Sequence, residues 1–500
     1  MLLKPQIKDI KIVTYYLGKI TVGLGLTLVL PLILALVNRE LNPALDFGIS
    51  VFIGLIAGLI LTVICKTEED LNWMQGMSLV GLAWLAAMLL GAVPLFLSGH
   101  WKSYLDACFD AMSGFATTGL ILVQDLDHLS LAHNLWRHLM MFIGGQGIVI
   151  VALSFFVKGL SGAYKIYVGE AREERVLPNV VNTARFIWLV SLVYLVLGSV
   201  SLAFVAQAEG MSRGTSFFHG LCIFMAAFDT GGFAPQSQNI LYYHSLPFET
   251  VTVTLMLLGA INFKLHYSLW TGNKKEIFKN IETITLFISI SLIFFFTALG
   301  LRRAGVYPEN FVLFRKGFYQ LISAHTGTGY MTIYAKQFIR QWPGLAFMGI
   351  ILAMSLGGST SSTTGGIKAL RVSIFLKTLA GEIKRIMLPE SSVSVEKIHH
   401  IKEVVLEDKQ IRLSLLIFLM YLGLYALGAM VGSFCGYPLP EALFESVSAG
   451  ANVGLSCGIT EPSMPTLLKI TYMFQMWVGR LEFVSIFTLF GVLIARVRGK

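Results

Sequence analysis

Charge is scarce in this chain: Asp, Glu, Lys and Arg make up 13% of its 500 residues, against 55% hydrophobic. A soluble fold carries about a quarter charged residues, so a water-facing surface over the whole molecule is excluded. Cysteine is sparse as well. Cys65, Cys108, Cys222, Cys435 and Cys457 form no CxxC pair and have no histidine at metal-like spacing; they read as packing residues, not ligands or a disulfide framework. Within the apolar runs, paired catalytic carboxylates, an HExxH stretch and a Ser/His/Asp grouping are missing too, so the chain is expected not to be an enzyme. Two glycine-rich decoys fall away. Gly365-Gly-Ile-Lys368 lacks the Gly-Lys-Ser/Thr ending of a phosphate loop, and Gly144-Gly-Gln-Gly147 lies within an apolar run, so no organic cofactor is expected.

What the chain has in abundance is apolar sequence. Runs of roughly 20 residues, enough to cross about 30 Å of hydrocarbon, begin near Tyr16, Ser50, Met77, Leu135, Phe186, Thr250, Thr283, Trp342, Leu413 and Leu467. They predict an all-α polytopic membrane protein with ten spans and both termini on one side. Most of the 38 Lys and Arg residues collect on one predicted face: Lys4, Lys8 and Lys11, then the connections Lys158 to Arg185, Lys264 to Lys279 and Lys368 to Lys409, then Arg496, Arg498 and Lys500. That face is expected to be cytoplasmic. The net charge of +9 then answers to anionic membrane lipid, and no nucleic-acid partner is needed. No cleavable signal peptide is expected, because the first apolar run continues for a full span.

A short glycine-bearing segment recurs four times. Aligned on Gly119, Gly232, Gly329 and Gly454, the segments bring Thr117-Thr118-Gly119, Thr230-Gly231-Gly232, Gly327-Thr328-Gly329 and Asn452-Val453-Gly454 together, and place Phe109, Cys222, Tyr319 and Phe444 at one upstream position. The register between the first and fourth copies holds, without a gap, to Met141 with Met476 and Gly144 with Gly479. Small gaps bring Gly259 and Gly357 to that last position. The period predicts four parallel membrane-pore-membrane repeats in pseudo-fourfold arrangement around one pore. The expected division is an N-terminal transmembrane hairpin over 1–70 and repeats over 71–165, 180–275, 280–400 and 408–500.

The stretches before the glycines, Ser103 to Ser113, Thr215 to Ala226, Phe314 to Ser323 and Pro440 to Ser448, are about 10 residues and too short to span. They read as re-entrant half-helices, each handing the chain to irregular backbone that is tolerable only where it lines water or lies within protein. A half-helix ending mid-membrane turns the negative end of its dipole there, which favours a cation. Rings of backbone carbonyls can then replace the hydration shell of potassium, so the twelve aligned residues above are the expected filter and potassium the transported ion.

The third repeat adds a run of small and hydroxyl residues, Gly357-Gly358-Ser359-Thr360-Ser361-Ser362-Thr363-Thr364-Gly365-Gly366, ahead of Lys368. Such a run makes a weak helix and predicts an intramembrane gating loop over 357–368, with Gly357, Gly358, Ser359, Thr360, Gly365, Gly366 and Lys368 as its key residues. Only this repeat is expected to break its second helix. Arg480, at the aligned place in the fourth repeat, is costly near mid-membrane and is expected to contact the loop and oppose cations; Glu482, two residues on, would not share its helix face. Asp229 reads either as a cation-attracting acid or as a turn residue, and His325 as a packed half-helix residue.

Through Phe228-Asp-Thr-Gly-Gly-Phe233, the stretch from Ser355 to Lys368 and Gly479-Arg-Leu-Glu482, the chain resembles the Trk/Ktr/HKT superfamily of potassium transporters, and within it the bacterial TrkH/TrkG type. The resemblance implies a single-chain potassium pore in the bacterial inner membrane, assembly as a homodimer, a gating loop at 357–368, and control by a cytoplasmic nucleotide-binding ring of the TrkA type. The basic connections are the expected docking surface for that ring. In plant relatives a serine at the first filter glycine accompanies sodium transport; Gly119 here implies potassium. A proton- or sodium-coupled potassium symporter is the alternative, although alternating access around inverted repeats does not match repeats that run in parallel.

Overall fold

The computed structural model describes residues 6–148, 163–170, 179–389 and 396–497; Lys4, Lys158, Arg498 and Lys500 lie outside them. The chain is an all-α polytopic membrane protein of four membrane-pore-membrane repeats preceded by a two-helix hairpin. In that hairpin Ile7–Thr27, continued after Leu28 by Val29–Val37, folds back on Leu41–Ile64. Small residues let the two backbones touch: a methyl group on Gly58 would fall 2.7 Å from the Val22 nitrogen, and one on Gly18 2.8 Å from the Gly58 carbonyl oxygen. This is close packing of the kind that joins helices in lipid, where burial of apolar surface supplies no drive. The outward faces stay apolar, with Leu30, Ile33, Phe52 and Leu59 all exposed, as a hydrocarbon solvent allows.

Each repeat begins with a long apolar helix, Trp73–Leu97, Val180–Ala208, Ile281–Arg303 or Asp408–Phe434, able to cross the membrane. A half-helix follows: Tyr104–Phe115, Arg213–Phe228, Asn310–His325 or Leu439–Gly450. Ser103 and Ser212 cap the first two by accepting the Asp106 and Thr215 amides, satisfying donors the helix itself leaves open. The half-helices in the second and third repeats have 16 residues, longer than the expected ten, because each begins about four residues further ahead of its glycine than in the other two repeats. All four stop four residues before their aligned glycine.

The second helices correct the sequence reading. They are Leu131–Gln146, Leu246–Ala260, Gly344–Ser355 and Thr466–Arg480, of 16, 15, 12 and 15 residues. At 1.5 Å per residue the longest reaches about 24 Å, short of the hydrocarbon. Each helix ends within two residues of its aligned glycine, Gly144, Gly259, Gly357 or Gly479. Gly147 takes φ 94° in the first repeat; in the second the chain bends by 102° into Phe263–Trp270, and in the fourth by 113° into Val484–Val497. Among the described residues the interruption expected of the third repeat alone therefore recurs in the second and fourth, the first repeat's helix also ends at Gly147, and ten straight spans are not formed. Hydropathy hides these breaks because Ile261-Asn262 and Leu481-Glu482-Phe483 carry no glycine or proline to mark them.

Just above the break, the aligned glycine of three repeats lies on its own half-helix. A methyl group on Gly144, Gly259 or Gly479 would fall 1.8, 1.9 or 2.0 Å from the carbonyl oxygen of Phe115, Phe228 or Gly450. In the third repeat Gly357 meets Gly365 of the loop instead, at 1.9 Å. Outside the helices, Lys397–His400 and Lys402–Val405 form an antiparallel hairpin, with Lys397 opposite Val405, that the helix-only expectation for this connection omits. Gly259→Ala is expected to destabilise the protein by about 3 kcal/mol through backbone overpacking. Gly48→Ala, where nothing stands within 4 Å, should leave thermal melting in detergent unchanged; equal melting temperatures for the two variants would contradict this packing.

Candidate ion filter and the loop beneath it

The four aligned segments share one backbone form. Thr117, Thr230, Gly327 and Asn452 have φ of 50°, 52°, 69° and 56°, and two residues later Gly119, Gly232, Gly329 and Gly454 have φ of 98°, 74°, 78° and 89°. Left-handed backbone costs a residue other than glycine on the order of 1 kcal/mol or more, so its recurrence at Thr117, Thr230 and Asn452 marks a conformation the surroundings impose. The residue between the two is held by one repeated bond. Thr118, Gly231, Thr328 and Val453 donate their amides to the carbonyls of Ser113, Ala226, Ser323 and Ser448 at 2.8 to 2.9 Å. In the first and fourth walls the serine hydroxyl also accepts the glycine amide, Gly119 to Ser113 and Gly454 to Ser448, both at 3.0 Å. Segment amides thus turn back to the half-helix, which leaves the segment carbonyls as the groups facing away from it.

The walls close on one another in chain order. A methyl group on Gly119 would fall 2.5 Å from Gly231 O, on Gly232 2.1 Å from Thr328 O, on Gly329 1.9 Å from Val453 O, and on Gly454 1.9 Å from Thr118 O. Each ring glycine therefore abuts the carbonyl that precedes the ring glycine of the next wall, and the fourth wall returns to the first. All twelve sequence-predicted filter residues come together here, eleven of them buried and Gly119 half-buried.

A second layer behind the ring escaped the sequence reading. Nine residues before the glycine stand Asp110, Gln320 and Glu445, and each reaches forward to the position three residues after it. Asp110 accepts the Leu122 amide at 2.6 Å, Gln320 donates to the Thr332 hydroxyl at 3.1 Å, and Glu445 accepts the Cys457 amide at 2.9 Å. Glu445 also accepts from the Ser456 and Thr460 hydroxyls and the Ile459 amide, at 2.5, 2.8 and 3.2 Å. A buried carboxylate taking several donors is well compensated, and here it fixes the path of the chain away from the ring. The glycine alignment carries the signal: three acids or amides in one column. Nearby, Arg137 lies 4.3 Å from the centre of the Phe233 ring and donates to Ala234 O, and Lys469 pairs with Asp106 at 2.6 Å; neither was foreseen.

On one side of the ring a cavity of about 170 Å³ is lined by all four glycines together with Arg137, Asn239 and Thr460. On the other side a cavity of about 20 Å³ lies among Trp84, Ser361, Ser362, Thr364, Lys368 and Arg480, room for about one water. The 357–368 loop lines that space. Its ends are tied by Gly357 N to Ile367 O at 2.8 Å and Ile367 N to Ser355 O at 3.1 Å. Glu282 accepts from the Thr360 amide and hydroxyl at 2.6 and 2.9 Å, and Ser359 N donates to Ala260 O at 2.9 Å. The Thr363 hydroxyl lies 3.0 Å from Phe228 O and 2.9 Å from Gly259 O, under the second wall. A methyl group on Gly365 would fall 2.3 Å from Ala451 O, under the fourth. Gly358 accepts the Ala369 amide, Gly366 takes φ 69°, and Lys368 donates back to Thr364 O.

Arg480 does meet the loop: its guanidinium donates to Thr363 O at 2.5 Å and to Gly144 O at 2.7 Å, joining the third repeat to the first. Glu482 follows the helix end with φ 48° and pairs with Arg371, so the helix geometry assumed for it does not apply. Asp229 accepts from Gln146 at 2.7 Å, and Gln146 accepts from Ser191 at 2.9 Å. His325 bonds Ser289 at 2.8 Å.

Residues 46–496 match the TrkH family, described as cation transport protein. An uncharacterized cation transporter of Methanocaldococcus jannaschii is 30% identical over 97% of this chain and 96% of its own. The Trk system potassium uptake protein TrkG of Escherichia coli is 26% identical, over 96% and 98% of the two chains. The crystal structure of the potassium transporter TrkH from Vibrio parahaemolyticus, 22% identical, matches with a TM-score of 0.80 over 97% of this chain and 98% of its own. By sequence over nearly its whole length, the chain belongs to the TrkH family of cation transport proteins.

Proposed function

We propose that this protein takes up potassium through a pore whose filter is the ring of Thr117 to Gly119, Thr230 to Gly232, Gly327 to Gly329 and Asn452 to Gly454. The observation that carries the reading is the closed ring itself, in which every segment amide one residue before the glycine is bonded to its half-helix. Carbonyl oxygens remain to take the place of water around a cation. The half-helices end beneath them with their negative dipole ends. The names of the similar proteins, potassium uptake and potassium transporter, support the choice of ion.

In this reading 1–70 is the N-terminal hairpin, 71–165, 180–275, 280–400 and 408–500 are the pore repeats, and both termini face the cytoplasm of a bacterial inner membrane. The 357–368 loop is the gate. Its hydroxyls and amides make about six bonds outside the loop, to Glu282 of its own repeat and to Phe228, Gly259 and Ala260 of the second, at roughly 0.5–1.5 kcal/mol net each, so opening costs several kcal/mol. That is the scale, about 5.5 kcal/mol, at which a regulator converts a mostly closed population into a mostly open one. A cytoplasmic nucleotide-binding ring of the TrkA type, docked on the basic connections of a homodimer, would supply it. Arg480 holds the loop by Thr363 O and places a positive charge on the ion path.

Clearance around the ring ranks its glycines. Gly119→Ser, the substitution with the most room, should leave a folded protein whose potassium-to-sodium flux ratio in reconstituted vesicles falls several-fold. Gly329→Ser, whose added atom meets Val453 O at 1.9 Å, should lose flux altogether. Wild-type selectivity in both variants, or wild-type flux that follows only an imposed proton gradient, contradicts the pore. Arg480→Ala is expected to raise basal potassium flux several-fold without the regulatory partner; an unchanged rate with unchanged regulation removes Arg480 from the gate.

A further inference from the structure

Three walls of the ring carry their own brace from nine residues before the glycine to three residues after it, and the second wall does not. At the first of these positions it has Ile223, which has no polar side chain. At the second it has Pro235, which has no amide to donate. Both halves of the brace are gone together, so restoring an acid at 223 would recreate the acceptor without a donor. In the same gap lies the hydroxyl of Tyr330, from the third wall. It stands 3.1 Å from Ile223 O and 3.2 Å from Phe233 O, at the foot and the top of the second wall. The ring of Tyr330 is fully buried.

A second link joins the same two walls. The Asn239 amide nitrogen donates to Gly232 O at 3.2 Å, while its oxygen accepts the Met331 amide at 3.1 Å; Leu241 N donates to Met331 O at 3.1 Å. The second wall is thus held from outside, by its neighbour, where the others are held from behind.

We infer that Tyr330 is the positioning residue of the second wall, and that its hydroxyl sets the spacing of the Gly231 and Gly232 carbonyls on which discrimination between potassium and sodium depends. The inference rests on the filter reading above. Its physical basis is that an oxygen ring distinguishes two cations by the number and placement of oxygens it holds at the axis. A wall released from its brace relaxes toward the smaller, more strongly coordinating ion.

The test is Tyr330→Phe in reconstituted vesicles, read as the ratio of potassium to sodium flux together with thermal melting. Removing one shared hydrogen bond is expected to lower the ratio roughly three- to tenfold with potassium flux retained. Tyr319→Phe is the control for stability alone. Its hydroxyl, on the half-helix Asn310–His325 that precedes Tyr330, is also buried, 3.0 Å from Thr252 of the helix Leu246–Ala260, and it should melt lower by a similar amount with the wild-type ratio. Asn239→Gly, which keeps a residue tolerant of φ 57° while deleting the amide, should lower the ratio independently and covers the case in which Tyr330→Phe does not fold. A folded Tyr330→Phe with wild-type selectivity, or an equal loss in Tyr319→Phe, overturns the inference. If Gly119→Ser also keeps the wild-type ratio, the failure belongs to the filter reading; if Gly119→Ser alters it and Tyr330→Phe does not, the failure belongs to Tyr330.

Discussion

One main-chain hydrogen bond, made four times, underlies everything else: the amide just before each ring glycine donates to the carbonyl five residues earlier, at the end of the half-helix. In the middle of a bilayer, backbone outside a helix has no water to turn to, and an unpaired peptide group there costs several kcal/mol. The bond removes the donors from that account and leaves only acceptors. It also explains why the half-helices must all stop at the same distance from the glycine, why threonine and asparagine accept left-handed backbone beside it, and why the second helix of each repeat presses a glycine or a loop against that point.

Much of this was legible in the sequence. The alignment on Gly119, Gly232, Gly329 and Gly454 reports a real ring, and the upstream column of Phe109, Cys222, Tyr319 and Phe444 reports four buried residues on the same face of four half-helices. What could not be read was backbone direction inside apolar runs. Leu481-Glu482-Phe483 and Ile261-Asn262 look like continuations of a span, because hydropathy measures where a residue is comfortable and not which way the chain is heading. The brace formed by Asp110, Gln320 and Glu445 was hidden for a different reason. Each taken alone is an unremarkable polar residue, and only the pairing across twelve positions, through a ring whose fold is already known, gives it a purpose.

Arginine and carboxylate placement follows from the breaks. If the fourth second-helix ran straight, Arg480 and Glu482 would point to different sides of one cylinder. Because the helix ends at Arg480 and the chain turns at Glu482, the arginine reaches Thr363 and Gly144 while the glutamate reaches Arg371. Two charges two residues apart thereby serve opposite ends of the third repeat's interruption: Arg480 its loop, Glu482 the helix Ala369–Ile386 that leaves it. A buried ion pair gains little net stability over apolar packing, but removing one partner leaves an uncompensated buried charge, so the pair fixes Glu482 against that helix.

The missing brace of the second wall carries a consequence about ancestry. In a pore made of four identical subunits, any change to one wall is made in all four at once, so losing an acid and its matching amide would leave every wall unsupported. Joining the copies into one gene lifts that constraint. Ile223 and Pro235 could arise in a single copy because the adjacent copy, free to differ, offered Tyr330 in their stead. The departure from fourfold symmetry is then one that four identical subunits could not hold, because the second wall meets a neighbour that is not its twin.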